Sequence, residues 1–536
     1  MPKQYISYSK TGYFSKLICD YLAQKEELNT FYHRFPNLEN FKAQVKEKQL
    51  SFRPEGRNLL VQQLKKQYEC CNPSEATLHN IEALQNESTF TITTGHQLNL
   101  FTGPLYFLYK IFDTINLSEQ LNAAYPKHHF VPVYWMATED HDFDEINYFN
   151  FKGKKIAWDR NSGGAVGELS TEGLQKVYEL LKKEWGGSKN AKELLRLFSE
   201  SYVKHNNLAD ATRNLANELF KDYGLVIIDG NDAELKKTFI PFAEKELTEN
   251  LSFKKVTETT QKLIEAGYGE QVHPREINLF YLQEGVRERI IEKEGMFYVN
   301  DTDISFSKEE IITELQNHPE RFSPNALLRP LYQEVILPNL CYIGGGGELA
   351  YWFQLKDYFE AVAVPLPLLL LRNSALLVSG KLSEKLDKLE VPISEVFQKQ
   401  HELKTWYTKK LSEIEIDFSS QREHLQQQFK DLYELAKQTD ASFIGAVAAQ
   451  EKKQLNGLEN LEKRLLKAQK RKLADQMERL TAMQDELFPK GSLQERTVNF
   501  SELYLELGAE LLSVLKKELE PLAGDFLVLR VPDFKI

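Results

Sequence analysis

Six ionisable side chains fall within seven residues: Glu139, Asp140, His141, Asp142, Asp144 and Glu145. Like charges at that density repel one another unless a cation, an ammonium group or water compensates. Asp140, Asp142 and Asp144 imitate the opening of a calcium loop. Glu145 replaces the glycine that loop requires, and Phe151 stands where its late bidentate glutamate belongs, so calcium is ruled out. A Mg²⁺ site or a pocket for a substrate amine stays open, as does a solvated acidic turn. His141, Asp142 and Glu145, with His96 upstream, are the candidate acid–base groups.

Two glycine-bearing stretches offer a different chemistry. Gly95-His96-Gln97 and Gly103-Pro104 lie between a strand-like run and a helical one, where backbone amides can approach an anion at the helix start. The spacing is not Gly-x-Gly-x-x-Gly, so a tight structural turn is an equal reading. Gly344 to Gly347, with Glu348 opening a helix, is a candidate anion nest, with a flexible turn as the alternative. Arg329 and Arg372 bracket that stretch and suit a carboxylate or phosphate. No Gly-x-Ser-x-Gly elbow or His-Glu-x-x-His helix is present. Gly153-Lys154 and Gly380-Lys381 both lack the earlier glycine of a Walker loop.

These residues need a scaffold that collects them. Phe90 to Thr94 is a β-branched and aromatic run, the pattern of a buried strand. After Pro104, Leu105, Leu108, Phe112 and Ile115 recur at helical spacing, and Phe130 to Met136 is a second apolar run. Strand, loop, helix, strand is a βαβ unit, and parallel sheets bind ligands at the carboxyl ends of their strands. Both polar loops fall at that edge.

Further strands are expected at Gly224 to Gly230, Asn278 to Leu282, Met296 to Val299, around Tyr342, near Leu370 and at Phe526 to Val531. Leu466, Leu473, Leu480 and Leu487 repeat by seven, and Leu425, Phe429, Leu432 and Ala436 by four, three and four. Such a seam buries itself only against another helix, which predicts two coiled-coil arms turning back near Thr439 to Gly445. The expected division is 1–88, a helical part of the core; 89–150, the βαβ unit; 151–222, a first connecting insertion; and 223–380, the rest of the core with a second insertion. The arms take 381–488, and 489–536 returns to the core.

The chain has 536 residues, 42% of them hydrophobic and 27% charged, which is ample for a large core. A net charge of -11 argues against nucleic acid as the main partner. The longest apolar run, Ala361 to Leu371, is broken by Pro365 and Pro367 and is too short to span a bilayer. The opening MPKQYISYSK has no apolar signal segment. Cys19, Cys70, Cys71 and Cys341 have no Cys-x-x-Cys spacing, so reduced thiols in a cytoplasmic protein are expected and a zinc site is not.

Four stretches, TGHQLNLFTGPLY (94–106), VPVYWMATEDHDFDEIN (131–147), FSPNALLRPLYQEVILPN (322–339) and GGGGELAYWFQL (344–355), together resemble the BshC family, the cysteine-adding enzymes of bacillithiol synthesis. The resemblance implies an α/β fold: a Rossmann-type parallel-sheet core of the nucleotidyltransferase and class I tRNA-synthetase group, with helical insertions and a long antiparallel coiled coil that dimerises. Tyr106 and Tyr109 stand where those synthetases carry His-x-x-His, and Lys381 to Lys385 only faintly echoes their Lys-Met-Ser-Lys-Ser loop.

The activity implied is a ligase that joins L-cysteine to the amine of glucosaminyl-malate in the cytoplasm. ATP, with Mg²⁺, is the expected activator of the carboxylate. In that reading Gly95, Gln97, Gly103, Tyr106 and Lys110 hold phosphate, and Asp140 holds an ammonium or the metal. His141 or Asp142 accepts the proton. Asn325, Arg329, Arg372 and Asn373 take carboxylates or the activated group, beside Gly345, Gly346, Glu348 and Tyr351. A metal-dependent hydrolase and a nucleotide-sensing coiled-coil scaffold are the alternatives.

Overall fold

A computed structural model describes residues 3–52 and 54–531. Strand β1 (Lys3–Ile6) leads through a series of helices to β2 (Thr89–His96), in which every residue but Gly95 is buried. Its β-branched and aromatic residues suit a strand covered on both faces. Helix Tyr106–Ala124 connects it to β3 (His129–Met136), which pairs in parallel with β2 from Thr89↔His129 to His96↔Met136. The expected βαβ unit is therefore present. A hairpin of β4 (Tyr148–Phe151) and β5 (Lys154–Ala157), then helices Leu174–Trp185, Lys189–Phe198 and Leu208–Phe220, precede β6 (Val226–Asp229), which lies parallel to β3.

A second sheet follows. β7 (Leu279–Gln283), β8 (Val286–Lys293), β9 (Met296–Val299), β10 (Ser305–Phe306) and β11 (Phe322–Pro324) pair in the order β10-β9-β8-β7-β11. The sequence reading placed β7 and β9 but missed β8, because VRERIIEK mixes charge with apolar residues on a half-exposed strand.

β12 (Asn339–Gly344) and β13 (Leu368–Leu371) then complete the parallel sheet, ordered β13-β12-β2-β3-β6. The strand order reverses beside β2, the switch point of the parallel sheet. Phe90, Ile92, Phe130, Leu340 and Ile343 pack with Leu117 and Leu121 of the crossover helix and with Phe41 and Val45. Each such side chain stabilises the fold by roughly 1.5–3 kcal/mol relative to exposure.

β14 (Ala375–Ser379) and β15 (Phe526–Val531) form a small sheet with β1, in the order β1-β15-β14. The last strand thus returns to the core as expected, but beside β1 (Lys3↔Leu529) rather than on the parallel sheet.

The chain divides into two compact units. The first is built from the stretches up to Leu377 and from Leu493 onward, the second from Val378–Ser492 with Lys10–Gly12. Gln494 closes the first unit across this interruption: Leu377 N donates to its Oε1 at 3.0 Å and its Nε2 donates to the Leu377 carbonyl at 3.1 Å.

In the second unit, helices Ser419–Ala436 and Ala441–Lys472 form the expected antiparallel hairpin, with Phe429, Ala436 and Val447 buried between them. The leucine repeat is not one continuous seam. Leu473 sits at a break (φ -103, ψ 26) between Ala441–Lys472 and Ala474–Leu487, and Leu480 and Leu487 are buried within this unit. A charge at Leu480 therefore disrupts the unit itself and does not report on association. Among the described residues no helix is long and apolar enough to cross a membrane.

Candidate active site

Strand register gathers the polar loops at one edge: Gly95 lies beside Trp135, Met136 beside Asp229, and Gly344 beside Leu371. Lys110, one turn into the crossover helix, is buried between β2 and β12, and burial lowers its pKa. Its Nζ donates to the Gly95 carbonyl at 2.6 Å and to Glu348 Oε1 at 2.5 Å. The Tyr342 hydroxyl donates to Glu348 Oε2 at 3.0 Å. Lys110 and Glu348 thus answer each other, whereas the sequence reading left Lys110 free for phosphate.

Arg329 opens helix Arg329–Ile336, with its guanidinium 5.5 Å from the Tyr342 ring and 6.0 Å from the Trp135 ring. Nη1 donates to Gln333 Oε1 at 3.0 Å, while Nη2 is buried without a well-formed hydrogen bond among the described residues, the Tyr351 side chain being the guanidinium's polar neighbour. A buried, unanswered guanidinium nitrogen is costly unless a ligand completes it.

Arg329 lines a cavity of about 450 Å³ together with Trp135, Glu139, Asp140, His141, Asn278, Phe280, Asn325 and Tyr351. Arg275, Arg287 and Arg289 bring its arginines to four, against the two acids Glu139 and Asp140. The excess is positive, so the cavity favours an anionic ligand.

The acidic loop is compensated by the protein itself. Glu139 pairs with Lys236 and accepts from Ser323 Oγ at 3.1 Å. Gln97 Nε2 donates to Asp140 Oδ2 at 2.8 Å and to Glu145 Oε2 at 2.9 Å. Asp142 accepts from Glu145 N, capping the short helix Phe143–Ile146. Arg287 Nη1 donates to His141 Nδ1 at 2.7 Å, which places the imidazole proton on Nε2. Burial lowers the pKa of Arg287, and Glu139 and Asp140 oppose that shift. Of the expected acid–base groups only His141 lines the cavity; Asp142 and Glu145 do not. Among the described residues no three His, Cys, Asp or Glu side chains converge as a metal-binding group.

The remaining expected residues lie apart from that cavity. The loop after β2 turns inward, because NLFTGPL is largely apolar. Phe101 packs on Phe149, Trp185, Phe198 and Phe500, and Asn499 Nδ2 donates to the carbonyls of Phe101 and Gly103. Gly103 is needed for its backbone: φ is +64, and a Cβ would lie 2.7 Å from Asn99 Cβ. The loop is a buried plug, not the open phosphate cradle expected.

His96 is enclosed by Tyr106 and Phe107, and burial, then the charge of Lys110, holds its imidazole neutral far below the usual histidine range. None of Gly344, Gly345, Gly346 and Gly347 has the left-handed φ that a nest requires. Gly346 instead admits Ile18, whose Cγ1 lies 3.2 Å from where a Cβ would sit. Arg372 pairs with Glu495 at 2.6 Å, both side chains nearly inaccessible, and its guanidinium lies 4.8 Å from the Tyr106 ring. Asn373 donates through N and Nδ2 to the Asp113 carboxylate. Both residues expected to clamp a ligand are engaged inside the fold.

Two family models describe this arrangement from the sequence side. Residues 1–373 match the BshC N-terminal Rossmann-like domain of bacillithiol biosynthesis, and residues 375–531 match the BshC C-terminal coiled-coil domain. The chain belongs to the BshC family. It is 58% identical over 533 residues to a Christiangramia forsetii protein named "Putative cysteine ligase BshC", covering 99% of each chain. A protein of the same name from Cytophaga hutchinsonii is 39% identical over 95% of each chain. One from Bacillus cereus AH187 is 30% identical over 90% of this chain and 92% of its own.

In this BshC-family chain the cavity also draws on residues the sequence reading passed over: Arg275, Arg287, Arg289 and Asn278. One signal was available. Arg287 and Arg289 are two apart, which on a strand puts both on one face. Once β8 was missed, that signal was lost. Asn278 Nδ2 and N donate to the buried Glu246 carboxylate, while its Oδ1 accepts from Asn325 Nδ2 and from Arg275 N. Asn325 Oδ1 accepts from Leu327 N and Leu328 N, capping the turn that delivers Arg329.

Proposed function

We propose that this chain is a cysteine ligase that joins L-cysteine to the amine of glucosaminyl-malate, forming bacillithiol with nucleotide-dependent activation of the cysteine carboxylate. The observation that carries the reading is the positive cavity at the sheet's carboxyl edge, with Arg329 Nη2 buried and unanswered in its wall. The names of the relatives supply the reaction class.

A carboxylate and an amine do not condense unaided in water. ATP supplies the phosphoryl or adenylyl group that turns a carboxylate oxygen into a leaving group. Arg329 would hold the anionic oxygens of the activated carboxyl, since a guanidinium matches carboxylate and phosphate geometry. Asp140, anchored by Gln97 and by His141 N, is the carboxylate placed to hold the cysteine ammonium or to accept the proton lost as the sugar amine attacks. His141, its Nδ1 already accepting from Arg287, orients through its Nε2 proton. Mg²⁺ that arrives on phosphates needs only one or two protein carboxylates, and Asp140 fits that need.

All four cysteines are free thiols, as suits cytoplasmic work. Apolar Leu432, Leu435, Phe443, Ile444 and Leu461, exposed on the arms, support a homodimer through the coiled coil. Light scattering at micromolar concentration tests the dimer, and a monomer refutes it.

The reaction is tested with purified protein, L-cysteine, ATP and glucosaminyl-malate, following products by mass spectrometry. A new thiol at the mass of the amide, lost in Arg329→Gln, supports the reading. Consumption of glucosaminyl-malate without thiol would make the chain a hydrolase, and binding without turnover a scaffold.

A further inference from the structure

The main cavity does not end at its own wall. A second cavity of about 320 Å³ shares His273, Arg275, Ile277 and Arg289 with it. The segment 273–277 thus stands between two spaces, and the two arginines belong to both.

These arginines differ from the other two. Arg287 is engaged by His141 and Ser323, and Arg329 is partly engaged by Gln333. No hydrogen bond or ion pair is found for the side chain of Arg275 or Arg289 among the described residues. Their backbones are nevertheless fixed. Arg275 N donates to Asn278 Oδ1 at 3.1 Å and its carbonyl accepts from Asn278 Nδ2 at 2.8 Å. Arg289 is paired with Phe280 across β7 and β8. The acids that also face the second cavity are Glu276 and Glu292, and Glu292 already accepts from Gly295 N.

Two guanidiniums on fixed backbone thus adjoin one space, and although Glu276 and Glu292 face it, neither forms an ion pair with them among the described residues, which leaves both cations available to an anion. We propose that Arg275 and Arg289 form a second anion-binding subsite, distinct from Arg329, which takes the end of a substrate carrying two or more anionic oxygen groups. This inference rests on the reading of the main cavity as the substrate site. The chemistry fits a dicarboxylate, as at the malate end of the acceptor, or a di- or triphosphate, as on a nucleotide.

Calorimetric titration of the full chain and of Arg275→Gln and Arg289→Gln, with L-malate and with inorganic pyrophosphate as probes, tests the subsite. Both positions are at least partly exposed, and circular dichroism checks that the variants fold. Each variant is expected to weaken one probe by about tenfold to a hundredfold, the loss of a charge-assisted hydrogen-bonding group. Selective loss of malate assigns the subsite to the acceptor, and selective loss of pyrophosphate assigns it to the nucleotide. Parent-like affinity for both probes in both folded variants, or no binding of either probe to the parent, overturns the subsite. The reading of the main cavity as the substrate site fails separately, if Arg329→Gln keeps full turnover.

Discussion

Arg372 tests whether a residue that looks like a ligand clamp is a structural ion pair. Its Nη2 lies 2.6 Å from Glu495 Oε1, with 4% and 1% of the two side chains exposed. At an effective dielectric of about 20 the attraction is about 6 kcal/mol, and desolvating each ion costs several kcal/mol against it. The pair therefore contributes little net stability, yet removing one member strands the other. Arg372→Met should cost about 3–5 kcal/mol, and Glu495→Gln a similar amount. Ala375 N, which donates to Glu495 Oε2, keeps an acceptor in the glutamine variant. The double variant Arg372→Met/Glu495→Gln should lose less than either single change, because no charge is left stranded. Urea unfolding followed by tryptophan fluorescence gives the cycle, and titration with L-malate and ATP under folding conditions gives binding. If Arg372→Met stays within about 1 kcal/mol of the parent and ligand binding is lost, Arg372 faces a ligand and the structural account is wrong.

Gly103→Ala should destabilise the first unit by at least about 1–2 kcal/mol, since its φ of +64 and the nearby Asn99 Cβ both oppose a side chain; a stable variant that fails only to bind ATP would restore the loop as a phosphate cradle. Glu246→Gln turns one of two accepting oxygens into a donor facing Ser252 N or the Asn278 donors. It should cost about 1–3 kcal/mol in chemical denaturation and also weaken whichever anion Arg275 holds, so unchanged binding would cut Glu246 out of the positioning chain. Burial pushes Asp113 up to about 7, so the folded state keeps a proton that the unfolded state releases near the ordinary carboxylate value. Its contribution is full at low pH and is lost as pH rises through about 7. Asp113→Asn should remove that downward slope in unfolding free energy between about pH 4 and 7, and an unchanged slope would disprove the assignment.

The parts of the fold set by local pattern were legible in the sequence. β2, β3, β6 and β12 are buried runs of β-branched, aromatic and aliphatic residues, and the hairpin arms carry their own helical spacing. β8 was not legible, since a half-exposed strand with five charged residues resembles a helix surface. Arg329, Asp140, His141, Asn325 and Tyr351, candidates named from long motifs next to strand ends, line the cavity. Gly103 and His96 sit in one of the same motifs, and Arg372 and Asn373 directly follow a strand end, but all four are engaged inside the fold. Only their tertiary partners reveal it: Asn499, Glu495 and Asp113 far along the chain and, for His96, Phe107 on the next helix. Sequence proximity to a strand end indicates which edge a residue occupies, not whether its polar atoms face a ligand or another part of the protein.

The pairing of β1 with β15 constrains how the molecule is made. Lys3 Nζ donates to Glu520 Oε1 across 517 residues of chain, so the sheet that joins these termini of the described fold is a contact of extreme sequence separation. The arms, by contrast, meet through a turn of a few residues and can zip as soon as they are synthesised. At about 5–20 residues per second, β1 waits roughly half a minute to two minutes for its partner. Throughout that interval it is an open edge, and Phe101 lacks Phe500, one of the rings that cover it. Lys3 on β1 is the kind of charge that discourages wrong pairing. A chain ended just short of Phe526 would carry formed arms but an unsealed first unit, a natural target for chaperones and proteases.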